Sequence, residues 1–239
     1  MRRAAMAMLL AVAACGGPAP TADAPTVPGV EARLLRYTCG GPFDFDAGIV
    51  GRPAADERVD DPLAMALRGH LSKADMDIDW LPDAGWTLVG SDALQAEFVA
   101  AGDGTDMYSV QLVREGGAWK VSGWGGCRPV RVLPDGLAEA TWVLAPDQGV
   151  GPATTTFVAL VTERECASGR SSEGRVVGPD VLRTGDAMLV TFAVRPLPGG
   201  QDCQGNPATR VTVILPEPLG DRRLLDGSTL PPREPVAEP

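Results

Sequence analysis

The chain has 239 residues, with 31 Asp or Glu against 21 Lys or Arg, for a formal net charge of −10 at pH 7. Such an acid surplus argues against nucleic-acid binding, which rests on cationic contacts to phosphate, and against a polybasic membrane-surface domain. About 200 ordered residues fit one large or two small domains.

In chain order, the first element is a targeting segment. Arg2 and Arg3 make a positive start, and Ala4 to Ala14 is an uncharged run of Ala, Met, Leu and Val. Its length suits a signal core of roughly 7–15 residues and falls short of the ~20 that cross a membrane as a helix. The run ends Val12-Ala13-Ala14-Cys15, which resembles a lipobox. That resemblance implies diacylglycerol on the Cys15 thiol and cleavage that makes Cys15 the new N-terminus. The alternative is an ordinary secretory signal with Cys15 a chance thiol, which would be a liability in an oxidising compartment. The expectation is a signal peptide over 1–14 and lipidation at Cys15. The chain would then be held through lipid on the extracytoplasmic face of the cell membrane. Removing Arg2 and Arg3 with the signal, and no acid, shifts the net charge from −10 to −12. Residues 15–29, rich in Gly, Pro, Ala and Thr, cannot bury enough apolar surface to fold and read as a flexible tether.

Residues 30–133 read as an α+β domain. Ala32 to Thr38 is a strand ending at Cys39. Asp61-Pro62 opens a helix, with Asp61 a suitable N-cap and Pro62 suited to the first turn; Leu63, Leu67 and Leu71 form one apolar stripe. Strands follow at Trp86–Val89, Leu94–Val99, Tyr108–Val113 and Ala118–Trp124. In the second of these, Leu94, Ala96 and Phe98 share one face and Gln95 and Glu97 the other. Gly-Ser-Asp, Gly-Asp-Gly and Glu-Gly-Gly between the strands are hairpin turn chemistry. One helix followed by an antiparallel meander is an α+β pattern. Pro134-Asp135-Gly136 marks the boundary. Residues 134–230 then read as a β-sandwich-like domain, with strands at Thr141–Ala145, Thr154–Thr162, Ala187–Arg195 and Thr209–Leu215 separated by Pro and Gly clusters. The Pro-rich segment 231–239 fits neither ladder nor helix and reads as a disordered tail.

Five cysteines are present, and without Cys15 the remainder is even: Cys39, Cys127, Cys166 and Cys203. In an exported chain with no CxxC pair, disulfides are expected, and four cysteines allow three pairings. Cys39–Cys127 with Cys166–Cys203 respects the domain split. A zinc site is the rival, disfavoured by the missing ligand spacing and by a single histidine, His70.

Catalytic patterns are sparse. There is no GxSxG, no HExxH and no phosphate loop, so neither a catalytic set nor a cofactor is expected. His70 lies on the apolar side of the expected helix, as a partly buried histidine would. Asp75, Asp77 and Asp79 alternate in KADMDIDW, and Asp44 and Asp46 in FDFDAG. Either set would share one face of a strand and could bind calcium or support an acid- or metal-dependent hydrolase, although a solvated acidic edge explains both. Trp80, Trp86, Trp119 and Trp124 fall in the first half together with Tyr108. Trp119 and Trp124, five apart on one strand, point to opposite faces if the pleat is regular. Trp80, Trp86 or Trp124, if exposed, could stack on carbohydrate.

The segments AWKVSGWGGCRPV around Trp119, TFVALVTEREC over Thr156–Cys166, Gly205-Asn206-Pro207 and Pro218-Leu219-Gly220-Asp221-Arg222 resemble uncharacterised lipoproteins of high-GC Gram-positive bacteria. That family has no assigned activity, so no functional residue carries over. The expectation is a lipid-anchored, non-catalytic binding or interaction module, with an envelope protein or polysaccharide as partner and no nucleic acid.

Overall fold

The computed structural model describes residues 35–56, 58–72, 80–102, 107–146 and 148–236. Among these residues the secondary structure is mostly antiparallel β-sheet with one α-helix. The described residues all fall within one compact unit.

β1 (Arg36–Thr38) and β2 (Phe45–Asp46) open the described chain. A 3-10 helix, Ala47–Gly51, follows directly, started by the Asp46 carboxylate accepting the Gly48 N–H at 2.8 Å. Helix α1 spans Pro62–Leu71. Asp61 accepts from the N–H groups of Leu63 at 2.8 Å and Ala64 at 3.4 Å, satisfying donors that a helix start leaves without intrahelical partners. Leu67 and Ala64 are fully buried and Leu63 and Leu71 partly so, which makes the expected stripe the packed face.

β3 (Thr87–Ser91), β4 (Gln95–Ala101), β5 (Met107–Glu115) and β6 (Ala118–Cys127) form a four-stranded antiparallel meander in chain order. The β5–β6 hairpin turns on Gly116 and Gly117, both at positive φ (58° and 85°), the conformation a two-residue type I′ turn demands. One face carries Ala96, Phe98, Val110 and Leu112 against Leu67 of α1. The other carries Val99 and Met107 and is covered by Tyr37, Phe45, Ile49 and Leu230. β1 is central in the covering sheet, between β2 and β7 (Val130–Arg131). The meander therefore has no solvated face over β4, and Glu97, on the side opposite Phe98, is fully buried.

β8 (Ala138–Leu144), β9 (Thr156–Glu163), β10 (Val176–Arg183), β11 (Ala187–Val194), β12 (Thr209–Ile214) and β13 (Arg223–Asp226) form the second large sheet, in the order β10-β11-β8-β9-β12 with β13 parallel to β11. β8 changes partner along its length. Ala138 and Glu139 pair with β11, and Ala140 to Leu144 pair with β9. The two ladders share one core built on Trp142, Phe157, Met188, Phe192 and Val213. Trp142 joins them, donating its indole N–H to the Val190 carbonyl at 2.9 Å. All eight residues of β11 are buried, because Leu189 on the reverse face meets Leu225 and Leu35.

Three features depart from the sequence expectations. β10 was not anticipated, because Gly178-Pro179 sits in its middle and proline cannot donate to a ladder. A register shift between Val177 and Asp180 takes that pair out of the ladder, and the strand continues on either side. Trp119 and Trp124 do not point to opposite faces. β6 carries one extra residue at Ser122, which resets the pleat: Val121 pairs with Leu112 and Trp124 with Val110, both partners on the α1 side. Third, residues 231–236 are not a disordered stretch. Arg233 bridges to Asp226, and the Pro235 carbonyl accepts the Leu144 N–H at 2.7 Å.

Candidate functional site

Cys15, the expected lipidation site, lies outside the described residues, as do Asp75, Asp77 and Asp79. The other four cysteines form two disulfides. Cys39, just past β1, bonds Cys127 at the end of β6 with Cα atoms 5.5 Å apart; Cys166, past β9, bonds Cys203 before β12 at 4.5 Å. Chain-entropy reasoning gives about 4–5 kcal/mol for each loop. The first bridge ties the covering sheet to the meander. The second joins two loops at one end of the β9–β12 ladder.

Asp44 and Asp46 are engaged with cations of this chain. Arg36 reaches Asp44 at 2.6 Å, and its hydrogen bond holds that carboxyl below the usual range. Arg52 reaches Asp46 at 2.8 Å. They stand as an ion-pair network on the covering sheet. Among the described residues, no three His, Cys, Asp or Glu side chains gather as a metal would require.

The tryptophans divide sharply. Trp86 is fully buried, with its indole N–H donated to the Pro82 carbonyl at 2.9 Å and its backbone N–H to the buried Asp56 carboxylate. It belongs to the core and cannot present a face to a ligand. Trp80 and Trp124 remain 45% and 40% exposed, high for so large an apolar ring. Each is braced by another ring. Trp80 lies 5.7 Å from Tyr108 of β5, and Trp124 lies 4.6 Å from His70 of α1, centroid to centroid. His70 itself is buried, deeper than the partial burial expected. The Ser122 bulge is what brings Trp124 to this side. A ring braced by a neighbour and still partly exposed loses little entropy when it stacks on a ligand.

Sequence reasoning missed the buried carboxylates. Glu163, at the end of β9, meets Arg175 in a two-point contact at 2.9 and 2.5 Å. Donation to the Glu163 carboxylate raises the Arg175 pKa. Asp226 of β13 is fully buried; burial raises its carboxyl, while Ser228 and Arg233 act in the other direction. Near it, Tyr37 donates its hydroxyl to the Gly227 carbonyl at 3.2 Å and is pushed up to about 12, chiefly by burial. Glu97 has neither oxygen in a hydrogen bond of full geometry. Burial raises its carboxyl, and the Phe43 N–H offsets part of that. A buried acid inside a strand has no signature beyond its place in the alternation. Its cover comes from residues about sixty positions earlier.

Comparison with protein-family models, with curated proteins and with solved structures gave no match to this chain.

Proposed function

We propose that the chain is an exported, lipid-anchored cell-envelope protein that acts as a non-catalytic binding or interaction module. The observation that carries the anchor is Arg2-Arg3, the apolar run to Ala14 and Val12-Ala13-Ala14-Cys15, joined to the fate of the other cysteines. Cys39, Cys127, Cys166 and Cys203 bond among themselves, which leaves Cys15 the odd thiol that lipidation explains. The resemblance to uncharacterised lipoproteins of high-GC Gram-positive bacteria agrees with this reading. Within it, an α+β half and a β-sandwich-like half, meeting near residues 133–134, stand on a tether over 15–29. Intact-mass measurement on membrane fractions tests the anchor. Wild-type chain should carry diacylglycerol and sediment with membranes, and Cys15→Ala should do neither. Unlipidated, soluble wild-type protein ends the proposal.

A second reading has its own observation. The partial exposure of Trp80 and Trp124 suits a polysaccharide, whose pyranose rings stack on indole. Titration of intrinsic fluorescence with soluble cell-wall glycan fragments tests it: Trp124→Ala and Trp80→Ala should each weaken binding tenfold or more. No response of the wild type at millimolar glycan discards it. A hydrolase built on the aspartates is disfavoured at Asp44 and Asp46, whose carboxylates are already paired.

A further inference from the structure

The segment between β1 and β2 lies directly over Glu97. An ideal Cβ built on Gly41 would stand 2.2 Å from a carboxyl oxygen of Glu97, and one on Gly90 would stand 2.8 Å from the Phe43 ring. Two glycines thus let the segment sit flush on the meander, one over the acid and one under the aromatic ring. The Glu97 carboxyl is fully buried and lacks a hydrogen bond of full geometry. Its cover is held at its ends. Cys39 is bonded to Cys127, and Asp44 is paired with Arg36. In between, no backbone–backbone hydrogen bond among the described residues fixes positions 40–43; the Gly40 N–H goes to the Thr38 hydroxyl. Gly40, at φ 81°, supplies a hinge that other residues rarely allow.

We propose that Gly40–Phe43 is a flap that rests on Glu97 while the Glu97 carboxyl is protonated and lifts when that carboxyl ionises. A carboxylate in this position would be charged and desolvated, with the Phe43 N–H offsetting only part of the burial, a costly state for a buried group. The strand neighbours do not relieve it. Glu97 faces Gly90 of β3 and Gln111 of β5, neither titratable. From the covering sheet and the 3-10 helix, the charged groups are Arg36, Asp44, Asp46 and Arg52, which pair with one another. Arg131 of β7 is committed to Asp180 at 2.6 Å. Lifting the flap gives the carboxylate water in exchange for the Phe43 N–H, and costs the Phe43–Gly90 contact. It also opens the cleft lined by Thr38, Phe43, Val89 and Val132. The proposal does not depend on the lipid anchor or on the exposed tryptophans.

An exposed glutamate titrates near about 4.3. The ratio of open to closed flap should therefore rise up to about tenfold per pH unit from that value to the pKa of the closed form, then level off. The experiment is fluorine NMR of the purified chain with 4-fluorophenylalanine at its five phenylalanines, with Phe43 assigned by Phe43→Leu. Between pH 4.5 and 8 the Phe43 signal should move towards its solvent-exposed position in the wild type and stay still in Glu97→Gln. A Phe43 signal that does not respond to pH, or that responds equally in Glu97→Gln, overturns the proposal. Should that variant fail to fold, the wild type decides alone. The Glu97 side-chain carbonyl carbon and the Phe43 fluorine must titrate with one midpoint above the ordinary glutamate value. Separate midpoints, or an ordinary one, reject the flap.

Discussion

Glu163 and Glu97 are the same residue type, each inside a strand and each almost without exposure, yet they sit in opposite environments. At the end of β9, Glu163 meets the Arg175 fork, and Asn206 donates to the neighbouring Glu163 carbonyl at 3.0 Å. The site is built for a charge. In the meander, Glu97 meets glycine, glutamine and the bare backbone of the covering segment. That site is built for a neutral acid. The difference teaches that burial alone does not fix what a carboxylate contributes. A matched guanidinium makes it part of the fold, and its absence makes it sensitive to pH.

The same substitution at both positions should therefore have opposite signs. Glu163→Met leaves Arg175 largely buried and without its counter-charge, the situation that costs about 3–5 kcal/mol. Denaturant unfolding at pH 7 should show that loss, and a loss under 1 kcal/mol would mean that Arg175 finds water. Gly41→Ala comes next. Its Cβ presses on the Glu97 carboxyl, an overpacking expected to cost about 1–3 kcal/mol. Glu97→Ala should relieve most of that loss, so a double-mutant cycle should be strongly non-additive. Additive losses would place the strain elsewhere. Glu97→Met should instead gain about 1–2 kcal/mol at pH 7, because it replaces an unsatisfied polar group by an apolar one of similar reach.

The pH dependence of that last gain is the sharper measurement. The folded state holds the Glu97 proton more tightly than the unfolded chain, so stability is lost as pH rises from about 4.3 to the raised folded value and is level above it. Asp226 and Glu139, also raised by burial, contribute to the wild-type profile in the same sense. The difference between wild type and Glu97→Met isolates one acid. It should be smallest near pH 4 and grow towards neutrality. A difference constant with pH would show that Glu97 has an ordinary pKa in the fold.

What could be read from the sequence was local or arithmetic. The Asp61-Pro62 helix start lies within four residues of the donors it caps. The hairpin glycines at 116 and 117 are set by their own φ values, and the even cysteine count implied bridges. The alternation in 94–98 gave β4 and its α1 face. It did not reveal that Glu97 would be covered, because the cover arrives from β1 and β2 by a contact remote in sequence. The side of Trp124 was lost for a related reason. Parity along a strand holds only until a bulge, and the extra residue at Ser122 has no composition to announce it. β10 was hidden by Pro179, which the fold tolerates at a register shift. At the candidate ligand surface, residue type proposed three tryptophans, and only packing could separate the buried Trp86 from the exposed pair.

Asp61 completes the series of carboxylates and should give the smallest effect. It is half-buried, and its partners are two backbone N–H groups of the α1 start rather than a guanidinium. Water can replace those bonds in part, as it cannot at Glu163. Asp61→Ala should cost about 1 kcal/mol, and Asp61→Asn, which keeps an acceptor oxygen, only a few tenths. Because α1 packs Leu67 against the meander and braces Trp124 through His70, fraying of its first turn should leave the fluorescence of Trp124 unchanged. A shift of that signal in Asp61→Ala would mean that the helix moves as one body, and the cap would then belong with the large effects.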